Sequence, residues 1–204
     1  MKALPERAFG LLCLVWAVGC TPEPRPLPHG YFRIDLPPVA YVAHDAGCYS
    51  AEVPAAVRVL PRRAEGQRCW SDLDYGPFKA RVHLTYRTVN GDLDQLVDDA
   101  HVLKRKHELK AARIRTGTVH RDSARVHGTI FDVEGDVASP LVFYLTDSST
   151  HFLYGALYFM ARPNADSLAP VTDRVRADMR HFIGSLRWND AAGGVKEVEE
   201  HAEQ

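Results

Sequence analysis

Between residues 80 and 87 the chain alternates without a slip. Ala80, Val82, Leu84 and Tyr86 are apolar or aromatic, and Arg81, His83, Thr85 and Arg87 between them are polar. Successive side chains of a strand point to opposite faces, so this run is a half-buried strand with one wet face. Such a strand has a dry face to cover and two edges to pair. The rest of the chain must therefore supply neighbouring strands and a covering layer.

That supply follows at once. Asn90-Gly91-Asp92 breaks the strand, and Leu93, Leu96, Val97, Ala100, Leu103, His107, Ala111 and Ile114 then recur at helical spacing, which predicts a helix over 93–114. Its acidic residues lead and its basic ones follow, the order that suits the helix dipole. Three strands are predicted next, over 125–133, 141–145 and 152–160. The last is almost continuously apolar, as a central strand covered on both faces is. A closing helix opens near Asp166-Ser167, with Pro170 in its first turn and an apolar stripe of Leu168, Val171, Val175, Met179, Phe182, Ile183 and Leu186. Before residue 80 the signals are weaker. Short strands are predicted over 31–37, 57–60 and 69–75, and the stretch from Val39 to Arg68 is broken by Pro, Gly and polar residues. The fold class is α+β, an antiparallel sheet flanked by two main helices. At the level of fold alone it is similar to PsbP/Mog1-like domains.

The N-terminus reads as a targeting segment. Lys2 and Arg7 precede an apolar run from Phe9 to Val18, too short for a comfortable bilayer span but suited to a signal-peptide core. The run closes in Ala17-Val18-Gly19-Cys20, small residues before a cysteine, as a lipoprotein signal peptidase requires. The expectation is a signal peptide over 1–19 and a mature chain starting at Cys20, which carries a diacylglyceryl group and an N-acyl chain such as palmitate. An ordinary secretory signal with an incidental Cys20 is the plainer alternative. Residues 20–29, with Pro22, Pro24, Pro26 and Pro28, form an extended spacer that holds a domain off a membrane surface. Thr21 rather than Asp follows the cysteine, which favours the outer membrane, facing the periplasm. One domain is expected over 30–188, and a disordered acidic tail over 189–204.

Cys13 leaves with the signal, so Cys48 and Cys69 remain to pair in an oxidising envelope or to stay as separate buried thiols. Apolar residues make up 46% and charged residues 25% of the chain, as in a globular domain. A formal net charge of −1 gives no electrostatic reason to expect nucleic acid as a partner.

Catalytic signatures are missing from the sequence: no Walker A loop, GxGxxG, HExxH or GxSxG occurs. Asp147, Ser148, Ser149 and His151 crowd into one turn, where side chains splay apart and bond the local backbone instead of converging as a triad. His101 and His107 are six apart on the predicted helix and share no face as a metal pair would; His107 reads as a core histidine. His83 and His127 are candidate cross-strand neighbours, for which a solvated sheet face is simpler than a metal site. Neither an enzyme nor a metal or cofactor site is expected.

Several longer words carry more information. Gly30-Tyr31-Phe32-Arg33-Ile34-Asp35-Leu36-Pro37 follows the Pro-rich spacer. Cys69-Trp70 precedes Lys79 to Tyr86, and Lys106-His107 sits on the long helix. Leu145-Thr146-Asp147-Ser148 leads into His151 to Phe159, and Pro163 to Pro170 opens the last helix. In this order they resemble the gliding-motility-associated lipoprotein GldD family of Bacteroidota, over nearly the whole mature chain. The resemblance implies a non-enzymatic role supporting gliding and the linked type IX secretion machinery, through contacts with other lipoproteins of that machinery and their stabilisation. No small-molecule substrate is implied. Tyr31, Phe32 and Arg33 are the candidate partner contact, since Tyr and Arg are favoured interface anchors; a strand packed into the domain is the alternative. A periplasmic carrier, holding a small hydrophobic ligand between sheet and long helix, is the competing reading.

Overall fold

The computed structural model describes residues 34–36, 38–64, 67–108 and 111–190. The expected signal peptide over 1–19, Cys20, the spacer and Tyr31, Phe32 and Arg33 lie outside the described residues. Among the described residues ten strands form two antiparallel sheets: β1 (Tyr41–Asp45), β2 (Tyr49–Pro54), β3 (Arg58–Ala64), β4 (Gln67–Asp74), β5 (Ala80–Thr88), β6 (Arg113–Arg121), β7 (Val126–Glu134), β8 (Leu141–Thr146), β9 (His151–Phe159) and β10 (Arg187–Trp188). The α-helices described are α1 (Leu93–Glu108) and α2 (Ala165–Ser185). The larger sheet runs β3-β4-β5-β9-β8-β7-β6, and the smaller runs β1-β2-β10.

The alternating strand over 80–87 is β5, and Ala80, Val82, Leu84 and Tyr86 are all buried. It pairs with β9, the middle strand of seven. On β9, Leu153 and Leu157 join the core that also holds Val171, Val175, Met179 and Phe182 of α2, together with Tyr49 and Val53 of β2. Phe152 and Ala156 face the opposite way; Phe152 packs with Leu96 and Ala100 of α1, and Ala156 with Phe131 and Val142. The large sheet is therefore a middle layer, with α1 on one face and α2 plus the small sheet on the other. That is why β9 reads as apolar throughout while β5 alternates.

Gly155 is forced at the centre. It lies opposite Phe143 in the β8–β9 register, and a Cβ there would collide with the Phe143 ring, which is fully buried. A ring placed across a strand glycine fills the space that the missing side chain leaves.

Several sequence expectations need correction. The long helix stops at Glu108, and Ile114 belongs to β6. Ala111 and Ile114 match the helical period by coincidence, whereas Ile114, Thr116 and Thr118 alternate as a strand does. β6 is an edge strand with mostly exposed side chains, so its apolar signal is weak. No strand forms over Ile34, Asp35 and Leu36; Ile34 and Leu36 pack on the core from a segment outside either sheet. Pro37 and Pro38, which lack N–H donors, follow that segment. β1 and β2 go unseen in the sequence because Gly47, Cys48 and Pro54 punctuate short runs. Helix α2 begins at Ala165, capped by Asn164, whose side chain accepts from Ser167 N–H at 3.1 Å. Pro170 thus lies one turn deeper than the first. Just past β10, Asn189 N–H donates to Cys48 C=O at 3.0 Å and Asp190 takes two bonds from Arg125.

Cys48 and Cys69 form a disulfide with Cα atoms 6.0 Å apart. It ties the turn before β2 to β4 and so cross-links the two sheets. In the chain-entropy view, closing a loop of this size stabilises by about 3 kcal/mol. Cys69 holds a left-handed backbone, φ 58°, which costs a non-glycine residue roughly 1 kcal/mol. Thermal melts of Cys48→Ser should show a fall matching a loss of about 3 kcal/mol, and the reduced wild-type protein should melt at the same point. Gly155→Ala should cost about 2 kcal/mol through overpacking against Phe143, read as a lower urea midpoint with an unchanged slope. A Gly155→Ala protein as stable as wild type would show that the ring does not depend on the glycine.

Candidate functional site

Helix α2 carries Arg174 and Asp178 one turn apart, on the side that faces the β2–β3 connection. Asp178 is 1% exposed, which is unusual for a carboxylate, and it is heavily bonded. It accepts from the Tyr41 hydroxyl at 2.9 Å, the Tyr75 hydroxyl at 3.2 Å and Arg174 Nε at 3.1 Å. Burial and then the negative charge of Asp178 push the Tyr75 hydroxyl far above the ordinary phenol range. Tyr41 is raised by burial, and next by its bond to the same carboxylate. Both phenols are held protonated, as donors. Above this polar floor, Leu36, Pro54, Val57, Pro77 and Phe78 wall an open cavity of about 430 Å³.

Chemically this is a place to hold something. The carboxylate has its lone pairs taken, the phenols cannot serve as nucleophiles near neutral pH, and apolar walls surround one engaged ion pair. An apolar side chain or an acyl group with a polar end fits that lining.

A second polar cluster lies on the opposite face of the large sheet, over β4 and β5. Asp72, buried, meets His83 Nδ1 at 2.7 Å and Arg62 Nε at 3.0 Å; Asp74, also buried, meets Arg58 at 2.5 Å. A backbone bond from Gly76 N–H, ahead of the neighbouring arginines, holds the Asp74 carboxyl below its usual value. Arg62 also stands 5.1 Å from the Trp70 ring. The wet face of β5 is thus a lattice of ion pairs, more ordered than a solvated surface.

The turn at 147–151 behaves as its sequence suggests. One oxygen of Asp147 accepts from the N–H groups of Ser149, Thr150 and His151 at 2.8–3.0 Å, and the other accepts from Ser149 Oγ at 3.0 Å. His151 points away, with Nδ1 2.7 Å from the Tyr86 hydroxyl and its ring stacked on Trp188 at 5.0 Å. Serine and histidine do not converge.

The family described as gliding motility lipoprotein GldD matches residues 21–188. The chain belongs to that family. No curated protein matches it. As a member of the GldD family it is a gliding motility lipoprotein, which implies association with the cell envelope and with other motility components. Among the described residues no helix is long and apolar enough to cross a membrane.

Within this family member, sequence-predicted positions fall into three groups. Cys48 and Cys69 are brought together. Cys20, Tyr31, Phe32 and Arg33 lie outside the described residues. His83 and His127 are separated, because β9 and β8 stand between β5 and β7. His127 instead opposes His120. His101, on α1, packs edge-on against Phe131 and Tyr144 as a core-facing ring. Tyr41, Tyr75, Arg174 and Asp178 were invisible as a group, since 137 residues separate Tyr41 from Asp178. The one available signal was Asp178 within the apolar stripe of α2.

Burial works to raise the Asp147 carboxyl, but the N–H bonds from His151, Thr150 and Ser149 outweigh it and hold the pKa below the ordinary 3.8. A carboxyl depressed in the folded state stabilises fully above its unfolded value and loses that contribution as pH falls through the folded one. Stability should therefore decline below about pH 4. Asp147→Ala should cost on the order of 3 kcal/mol at neutral pH and then lose less on acidification than wild type does. Urea melts across that pH range check both; equal acid losses in the two proteins would remove Asp147 from the account.

Proposed function

We propose that this GldD-family protein is a lipid-anchored accessory of the gliding machinery and of the type IX secretion apparatus linked to it. It acts by binding other envelope proteins and keeping them assembled, without catalysing a reaction. Anchoring is by acyl chains on Cys20, in the outer membrane with the domain in the periplasm. Two or more chains give stable attachment where one is marginal.

The cavity over Asp178 carries the reading. It is apolar at the rim, polar and saturated at the floor, and built from α2, the β2–β3 connection and the turn at Gly76–Phe78. Rim residues Val57 and Phe78 are partly buried hydrophobics that pack on the core and still line open space. Such a feature accepts an anchoring side chain from a partner. The segment Ile34–Leu36, through which the chain leaves the spacer, reaches the same rim at Asp35 and Leu36. A carrier of a small hydrophobic ligand is the second reading, and the volume of the cavity favours it as well, being within the range of small-molecule sites. That cavity stands beside α2, away from the space between sheet and α1 where sequence placed it.

Deletion of the gene, with restoration by wild type or by Phe78→Glu at equal protein level, separates these. Loss of single-cell movement and of type IX cargo release, recovered by wild type, supports the accessory role. Phe78→Glu should then fail to restore movement and should lower the level of at least one other envelope lipoprotein. Unchanged movement and secretion in the deletion strain would overturn the proposal. Extraction of a stoichiometric lipid from the purified wild-type protein, absent from Phe78→Glu, would favour the carrier.

A further inference from the structure

The hairpin of β6 and β7 carries a feature that gliding and partner binding leave unused. It turns through Asp122–Ala124, with Arg125 in a left-handed conformation whose N–H donates to Asp122 C=O at 3.0 Å. This tight turn sets His120 directly opposite His127 in the register. Their Nδ1 atoms are 3.2 Å apart. Two ligand atoms on one tetrahedral zinc ion, each bonded at about 2.0–2.1 Å, are separated by roughly 3.3 Å.

The other nitrogen of His120 is also engaged, with Nε2 3.0 Å from Asp122 Oδ1. A carboxylate on the far side of an imidazole fixes the proton on Nε2 and leaves the Nδ1 lone pair pointing at the metal position. His127 can then donate its Nδ1 proton to His120 while the site is metal-free. On metal binding that proton moves to His127 Nε2, and both Nδ1 lone pairs become ligands. The ligand-bearing atoms of His120, Asp122 and His127 all lie within 4.8 Å of one another.

Nearby cations are held elsewhere. Arg121 is turned to the other face, where it donates to the C=O groups of Ile183 and Leu186 at 2.8 and 2.9 Å. Arg125 is bonded to Asp190. The pair sits at the open edge of the large sheet, with His120 and Asp122 exposed, so an ion has free access.

We propose that His120 and His127 form a binding site for a divalent transition metal of the zinc class, oriented by Asp122, with water in the remaining positions. Imidazole donors suit zinc, copper and nickel and not magnesium or calcium. Sequence alone offers His83 as a candidate neighbour of His127 and expects no metal; the β6–β7 register pairs His127 with His120.

The test is calorimetric titration of the full mature chain, without an affinity tag, with zinc ion and separately with magnesium. Wild type should bind one zinc saturably and no magnesium. His120→Ala and His127→Ala should each weaken zinc binding more than tenfold, and Asp122→Asn should weaken it roughly tenfold while keeping the stoichiometry. His44→Ala, on β1, should bind as wild type does. Because His120 and Asp122 are exposed and His127 is half-buried outside the core, all variants should stay close to the wild-type melting point without metal, and zinc should raise it only where both histidines remain. Absence of saturable zinc binding by wild type, or unchanged affinity in either histidine variant, overturns the proposal.

Discussion

The structure hangs on a central strand that has no wet face. β9 must satisfy its backbone through β5 on one side and β8 on the other, and it must bury Leu153 and Leu157 against α2 and Phe152 and Ala156 on the side of α1. Period two makes a slip of one residue exchange these sets, so the pairing register is fixed by packing on both faces at once. Gly155 sharpens the constraint, because only the correct register places it under the Phe143 ring.

Everything at the periphery inherits its position from that strand. α2 settles on one face and brings Asp178 to meet Tyr41 and Tyr75, which come from the small sheet and from the end of β4. The disulfide then holds the small sheet to the large one. Removing a carboxylate that serves three donors exposes each to a desolvation cost, and breaking such buried clusters is among the larger losses a domain can suffer. The floor of the cavity is therefore held by a bonded polar cluster, whereas its rim comes from connecting segments.

Polar groups divide by the company they keep. Asp72, Asp74, Asp132 and Asp178 are all buried and all meet arginines or tyrosines; the first two link strands within the large sheet, and the last two tie α2 to the strands beneath it. Asp132, for example, is gripped by Arg176 and Arg180 of α2 on the face that α2 covers. His120, Asp122 and His127 differ: His120 and Asp122 are exposed, His127 is half-buried, and His120 is bonded to both of the others.

The sequence by itself determined the strongly patterned elements: β5, β7, β8, β9 and the stripe of α2, where burial on one or two faces imposes a period on the residues. It also determined the local chemistry of the 147–151 turn, because an Asp accepting from the next few N–H groups is a short-range event. The family resemblance was legible for the same reason, being carried by consecutive words. Edge strands β1 and β6 were not legible, since exposed residues carry little periodic signal. The tertiary structure alone decided which strands are neighbours, and with that it separated His83 from His127 and gave His127 to His120. It also decided that Tyr41 meets Asp178 across the chain. Contacts between residues far apart follow from sheet order, and sheet order is chosen by the burial of all the faces together, which no local pattern records.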